Sequence, residues 1–165
     1  MAKKDTARKK PMLSVNETVA DNRKARFEYH IEERFEAGIV LHGTEVKSLR
    51  LGQCSLGEAF ADEKGGEIWV YNMHIPEYQQ AGKHLQHDPK RPKKLILHKK
   101  QVHKLMGAVN RDGYTIVPTR LYFNGRGMAK LEIALAKGKK LHDKRAATKD
   151  REWNREKSRT LRNQN

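Results

Sequence analysis

The chain has 165 residues, enough for one domain with a real core plus unstructured ends. Thirty-five lysines and arginines against twenty acids give a formal charge of +15, with a pI near 10.0, so a polyanionic partner is expected. No apolar run approaches the roughly 20 residues that span a bilayer, no apolar signal core follows the first lysines, and the single cysteine, Cys54, fits a reduced compartment as a small structural residue.

Residues 1–21 carry Lys3, Lys4, Arg8, Lys9 and Lys10 and little that packs, so they are expected to form a disordered basic leader. From Asn22 the pattern changes. Phe27, Tyr29 and Ile31 alternate with Glu28, His30 and Glu32, predicting a strand with one buried face. Phe35 to Leu41 continues it, with Gly38 a site of bulge or close approach. Thr44 to Arg50 predicts a short helix, capped by Thr44 and closed by Gly52.

Ser55–Asp62 and Glu67–Ile75 flank Lys64-Gly65-Gly66, a hairpin signal, and the nearly all-apolar second arm should be central. Pro76 to Lys94 is polar and carries Pro89 and Pro92, which predicts a long exposed loop. Lys94 to Leu97 leads into a helix over His98–Val109, where Val102, Leu105, Met106 and Val109 make one stripe and Asp112-Gly113 ends it. Tyr114–Phe123 and Met128–Ala136 are then two strands joined at Asn124-Gly125-Arg126-Gly127. About six strands and two good helices without βαβ alternation predict a mainly β fold, a small antiparallel barrel with flanking helices, over 22–136.

Residues 137–165 differ in kind. They hold eleven lysines and arginines against four acids, with apolar residues too sparse for a stripe. Like charges at i, i+4 oppose a helix, yet neither proline nor a glycine after Gly138 forbids one. The tail is expected to be unfolded alone and helical once its charges are neutralised. Cation density and length point to nucleic acid, with affinity falling steeply with salt. A solvated, charged face is the bland alternative.

Single residues sharpen this. His142 among cations suits stacking on an unpaired base; an idle exposed ring and a general base are the alternatives, and Asp143 beside it is expected to point elsewhere. Asn22, Arg23, Lys24 and Arg26 put donors at a barrel rim, either to grip a backbone or merely to solubilise an edge. Glu36 among them could accept from base edges or pair with an arginine. His84-x-x-His87 has metal-like spacing, but nothing completes a site, and neither a metal nor another cofactor is expected. No nucleophile elbow or phosphate loop is present, so catalysis is not expected.

Several separate motifs then carry a resemblance across nearly the whole length. Asn22-Arg23-Lys24-Ala25-Arg26, Phe35-Glu36-Ala37-Gly38, Glu45 to Arg50, Lys94 to Leu97 and Ala136 to Lys140, followed by His142-Asp143-Lys144-Arg145, resemble the SsrA-binding protein (SmpB) family. The resemblance implies an OB-fold-like barrel that binds the tRNA-like domain of transfer-messenger RNA and accompanies it to stalled ribosomes in the bacterial cytoplasm, with elongation factor Tu in the delivery complex. It implies that Asn22, Arg23, Lys24, Arg26, Glu36, Ile96, His98 and Lys130 grip that domain; His98 stands where asparagine is common. It further implies that Gly138, Lys139, Lys140, His142, Asp143, Lys144 and Arg145 enter the decoding centre, with His142 stacking on a small-subunit rRNA base. Beyond them the tail, with Trp153 and Leu161, would lie as a helix in the empty messenger channel. A different ribosome-associated barrel, indifferent to a tRNA-like fold, and a nuclease using His142 with Lys144 are the competing expectations.

Overall fold

The computed structural model describes residues 11–110 and 113–163, so residues 1–10 of the expected leader, and Asp112, lie outside the described residues. Seven strands and four α-helices follow in the order β1 (Thr18–Asp21), α1 (Arg23–Glu28), β2 (Tyr29–Ile39), α2 (Gly43–Arg50), β3 (Phe60–Lys64), β4 (Glu67–Tyr71), β5 (Lys93–Ile96), α3 (Lys99–Val109), β6 (Tyr114–Phe123), β7 (Ala129–Gly138) and α4 (Leu141–Asn163). Every pairing is antiparallel, in the order β1-β6-β3-β4-β5-β2-β7, and β6 also pairs with β7. That last ladder closes six strands into a barrel and leaves β1 on the outside of β6. Closure removes the sticky sheet edges that an open six-stranded sheet would present.

The period of two fills the barrel. Phe35 and Ala37 from β2, Ile68 and Val70 from β4, Leu121 and Phe123 from β6, and Leu131 and Ile133 from β7 point inward and are buried. Leu49 of α2 and Leu105 of α3 plug the same core. Cys54 packs against it, and burial pushes its thiol up to about 12, a structural cysteine rather than a reactive one.

Several sequence expectations need correction. Thr18–Asp21, within the expected leader, pairs with Tyr122–Arg120; four residues on one edge are too few to show a period. Phe27 and Glu28 end a helix rather than begin a strand, because the Asn22 side chain accepts from Ala25 N at 3.1 Å and starts a helical turn first. His42, not Thr44, precedes α2, its N–H donating to Glu45 at 2.8 Å. The Pro76–Lys94 segment is pinned at both ends rather than simply exposed. His87 is buried between Thr44 Oγ1 (2.8 Å) and the Ile75 carbonyl (2.9 Å). Arg91 grips the fully buried Glu45 through two bonds of 2.9 and 2.8 Å. Burial alone would raise the Glu45 pKa, but Arg91 and the His42 N–H hold it below the usual carboxylate value. Lys93 is wholly buried and donates to the carbonyls of Met73 and Arg91.

β7 runs to Gly138, two residues beyond the expected end, because Lys137 and Gly138 find backbone partners in His30 and Tyr29. The body therefore continues through Lys139, whose N–H donates to the Glu28 carbonyl at 2.9 Å and whose amine reaches the Arg26 carbonyl at 3.2 Å. No helix among the described residues is long and apolar enough to cross a membrane.

Candidate nucleic-acid interface

The barrel's outer surface carries the first half of the site. Neighbouring strands β5, β2, β7 and β6 bring Ile96, Glu36, Lys130 and Tyr122 together, since Gly38 lies opposite both Ile96 and Lys130, and Lys130 opposite Tyr122. A cleft of about 640 Å³ opens there, floored by Phe123 and lined by Glu36, Ile96, His98 and Lys130. Thus four of the eight residues expected to grip RNA share one concavity. Gly38 is a close approach: an added Cβ would lie 3.2 Å from Ile96 Cβ, so a side chain here would press β5 and β2 apart by a few tenths of an ångström. Ile96 is 59% exposed and Met128 at the rim 56%, leaving apolar surface beside the charges.

Among the described residues Glu36 pairs with no arginine. It accepts a hydrogen bond from the hydroxyl of Tyr122, which the sequence reading missed because the two are 86 residues apart. Partial desolvation, the hydrogen bond and the Glu36 charge push the Tyr122 phenol up to about 12, while Arg120 lies 4.7 Å over its ring. The phenol is therefore a fixed donor that orients the carboxylate, and the second carboxylate oxygen remains able to accept. His98 precedes α3 as its N-cap, its N–H donating to Gln101 at 3.2 Å.

Beneath the cleft, Arg50 of α2 donates to the carbonyls of Leu13, Ser14 and Gly127, and its guanidinium lies 4.0 Å over the Phe123 ring. One side chain ties the 11–17 segment and the β6–β7 turn to the cleft floor. Only the tertiary fold reveals it.

The four rim residues divide. Asn22 is 3% exposed, and its amide donates to the carbonyls of Leu56 (3.1 Å) and Pro118 (2.8 Å) while its oxygen caps α1. Both amide hydrogens are spent, so the expectation that Asn22 grips RNA gives way to a structural role. Pro118, with no N–H, sits at the β6 bulge, where its carbonyl is free for Asn22. Arg23, Lys24 and Arg26 remain exposed on α1, Lys24 paired with Glu58 at 2.7 Å and Arg26 with Asp21.

The tail supplies the second half. Residues 141–163 form a helix about 35 Å long, with Asp143 in its first turn and Arg162 in its last, both favourable to the macrodipole. Thr148, Ser158 and Thr160 satisfy their hydroxyls on the carbonyls four residues back. The helix expected of the tail is present over these residues, with no side chain of it in the core. None of its described side chains is buried, Trp153 being 68% exposed. α4 meets the body at α1, where Arg151 lies 4.6 Å over the Phe27 ring across a gap of about 630 Å³ that Arg23 and Lys24 also line.

At the root of α4, Asp143 stands between His142 (3.0 Å) and His30 (3.5 Å), contrary to the expectation that it points away. Partial desolvation raises its pKa, but the bond to His30 and the charge of His142 outweigh it and hold the carboxyl below its ordinary value. Lys140, Lys144 and Arg145 flank an exposed His142 ring. Gly138 has no positive φ and no atom near an added Cβ, so the junction does not need glycine's freedom. His84 lies exposed in a short 3₁₀ turn (Lys83–Leu85), whereas the His87 ring is buried and hydrogen-bonded.

The comparisons with known proteins meet this geometry. Residues 19–163 match the model of the SmpB protein family. The chain is 62% identical over 144 residues to the SsrA-binding protein of Nitrobacter winogradskyi, covering 87% of this chain and 91% of that one. It is 58% identical over 155 residues to the SsrA-binding protein of a Bradyrhizobium species, covering 94% and 96%. A solved chain described as "tmRNA-SmpB: a journey to the center of the bacterial ribosome" superposes with a TM-score of 0.64 at 42% identity, covering 84% of this chain and 95% of that one. A sealed barrel with a carboxylate-bearing cleft, an exposed cationic helix and a match through both together place the chain in the SmpB family of SsrA-binding proteins.

Proposed function

We propose that this protein binds the tRNA-like domain of transfer-messenger RNA and delivers it to stalled ribosomes for trans-translation. The observation that carries the reading is the separation of two RNA-suited surfaces on one chain. One is a shaped cleft where Glu36, held by Tyr122, can take hydrogen bonds from base edges while Lys130 meets phosphate. The other is an exposed helix of high positive charge with His142 and Trp153 available for stacking. In this reading Arg23, Lys24 and Arg26 hold the backbone of the tRNA-like domain at the barrel rim, and Lys139 fixes where the tail begins.

The tail acts as a test for vacancy. An intact messenger fills the volume and the charge sites that α4 needs, so only an empty channel admits it, and His142 settles on a decoding-centre base. Asp143 orients that ring and shields it from the neighbouring cations. The protein breaks and makes no bonds; peptide transfer belongs to the ribosome. Delivery with elongation factor Tu in the cytoplasm completes the reading.

The experiment compares gel-shift affinities for the tRNA-like domain, ordinary tRNA and duplex RNA, for the full chain and for a truncation after Lys140. The full chain prefers the tRNA-like domain, and truncation keeps that preference while abolishing tagging on stalled ribosomes. Equal affinity for all three RNAs, or loss of the preference on truncation, refutes the proposal.

A further inference from the structure

One part of this cationic molecule is acidic. Between Glu58 and Glu67 stand four carboxylates and one lysine, in a chain of formal charge +15. Aromatic rings are collected at the same place. On the outside of the barrel Phe60 lies opposite Tyr71 and Asp62 opposite Trp69. Phe60 and Tyr71 are stacked, with centroids 5.4 Å apart and planes 23° from parallel. Phe60 is 42% exposed, unusual for a phenylalanine, while Trp69 and Tyr71 are half-buried. Next to this pair opens a pocket of about 330 Å³, walled by Tyr29, Phe60, Glu28 and Glu58. Phe60, Asp62 and Lys64 of β3 thus share one outer face with Tyr71, Trp69 and Glu67 of β4.

A phosphate placed there would approach Asp62, which shares the outer face of β3 with Phe60, while Glu63 lies on the other face and accepts from Gly66 N at 2.7 Å. Of the lysines on this face, Lys24 is paired with Glu58 and Lys94, opposite Trp69, with Glu67, while Lys64 stands two residues from Asp62. A guanidinium is suited on both counts: it stacks flat on aromatic faces and takes carboxylate oxygens in its plane. An ammonium gains the charge but not the stacking. Neither the RNA cleft nor the tail uses these residues, although Lys24 of the barrel rim lines the pocket beside Phe60.

We propose that the stripe of Tyr29, Phe60, Tyr71, Glu28 and Asp62 docks an arginine-rich protein segment, giving this RNA-binding chain a protein-facing side. Arginines of that segment lie against the Phe60–Tyr71 stack and in the seat between Trp69 and Asp62, and the pocket beside Phe60 takes one further side chain.

The test uses the full chain carrying Trp153→Phe, which leaves Trp69 as its only tryptophan. A short Arg–Gly repeat peptide is titrated while Trp69 emission is followed, beside a Lys–Gly peptide of equal length and the tRNA-like RNA domain. The Arg–Gly peptide gives a saturable change and binds more tightly than the Lys–Gly peptide. Asp62→Asn and Phe60→Ala each weaken it by about threefold or more, in line with loss of an exposed cation–π or ionic contact. Affinity for the RNA domain is the same in Asp62→Asn as in the parent. A silent Trp69, or peptide affinities indifferent to Asp62→Asn, overturns the proposal, and so does RNA that changes Trp69 emission and binds Asp62→Asn differently. Should Phe60→Ala unfold by circular dichroism, Asp62→Asn decides alone, being an exposed substitution outside the core. Intact RNA binding with no peptide response sinks this inference and leaves the transfer-messenger RNA reading standing.

Discussion

The barrel and α4 are joined by one strand, yet they are stable for opposite reasons. In the barrel almost every strand is hydrogen-bonded on both sides, and the interior is filled by Phe35, Leu121, Phe123, Leu131 and Ile133, all but excluded from water. α4 has no buried side chain among its described residues, and its order rests on its own turns, back-bonded hydroxyls, charges matched to the dipole and one arginine on Phe27. An element with so little tertiary support can leave the body at small cost and take its remaining stability from a polyanion. The barrel cannot rearrange that way, and it need not.

The sharpest way to break this comparison is to damage each side in turn. Ile133→Ala in the barrel leaves a void at a site with no solvent access and should cost about 2–5 kcal/mol in urea unfolding. A smaller loss would mean that the core is loosely packed. Asn22→Ala removes the α1 cap and strands two buried carbonyls, so a loss of about 2 kcal/mol is expected. Asn22→Asp tests the same point, since it keeps the cap but loses both donors and should remain destabilised.

Tyr122 gives a pH-dependent readout on the cleft. Its folded-state pKa lies above the ordinary 10.0, at about 12, because of partial burial and Glu36. That contribution is therefore complete below pH 10 and is lost as pH rises through about 12. Phenolate absorbance should show one late-titrating tyrosine that vanishes in Tyr122→Phe, and Glu36→Gln should bring it down. The smallest effect belongs to the tail: truncation after Lys140 should move the unfolding midpoint by less than about 0.5 kcal/mol, as exposed segments do. A large shift would show that α4 braces the body and would undo the contrast.

Much of the architecture was legible in the residues. Alternation marked β2 and β7, hairpin signals and an apolar run marked β4 and β6, and the stripe of Val102, Leu105, Met106 and Val109 marked α3 within one residue of its start. The element missed outright, β1, is a four-residue edge strand whose partner lies about a hundred residues away. α1 was hidden because Phe27, Tyr29 and Ile31 keep a strand period through the place where Asn22 has already turned the chain. At the site, the charged and exposed residues were readable by type, and four of them do converge on the cleft. What could not be read were the pairings: Tyr122 with Glu36, Arg50 under Phe123, and the bonds that consume Asn22. Each joins residues distant in sequence, and no local period encodes such a meeting.

β7 has a further consequence. Lys130 sits at its cleft end and Lys137 at the end from which the tail departs, about 24 Å apart at the ordinary strand rise. Because β2 and β6 grip both of its edges, this strand cannot stretch, and inserting one residue would flip every following side chain to the opposite side. It works as a ruler. Whatever is seated at Lys130 fixes, to within a fraction of a helical turn, the point in space from which the probing helix is launched.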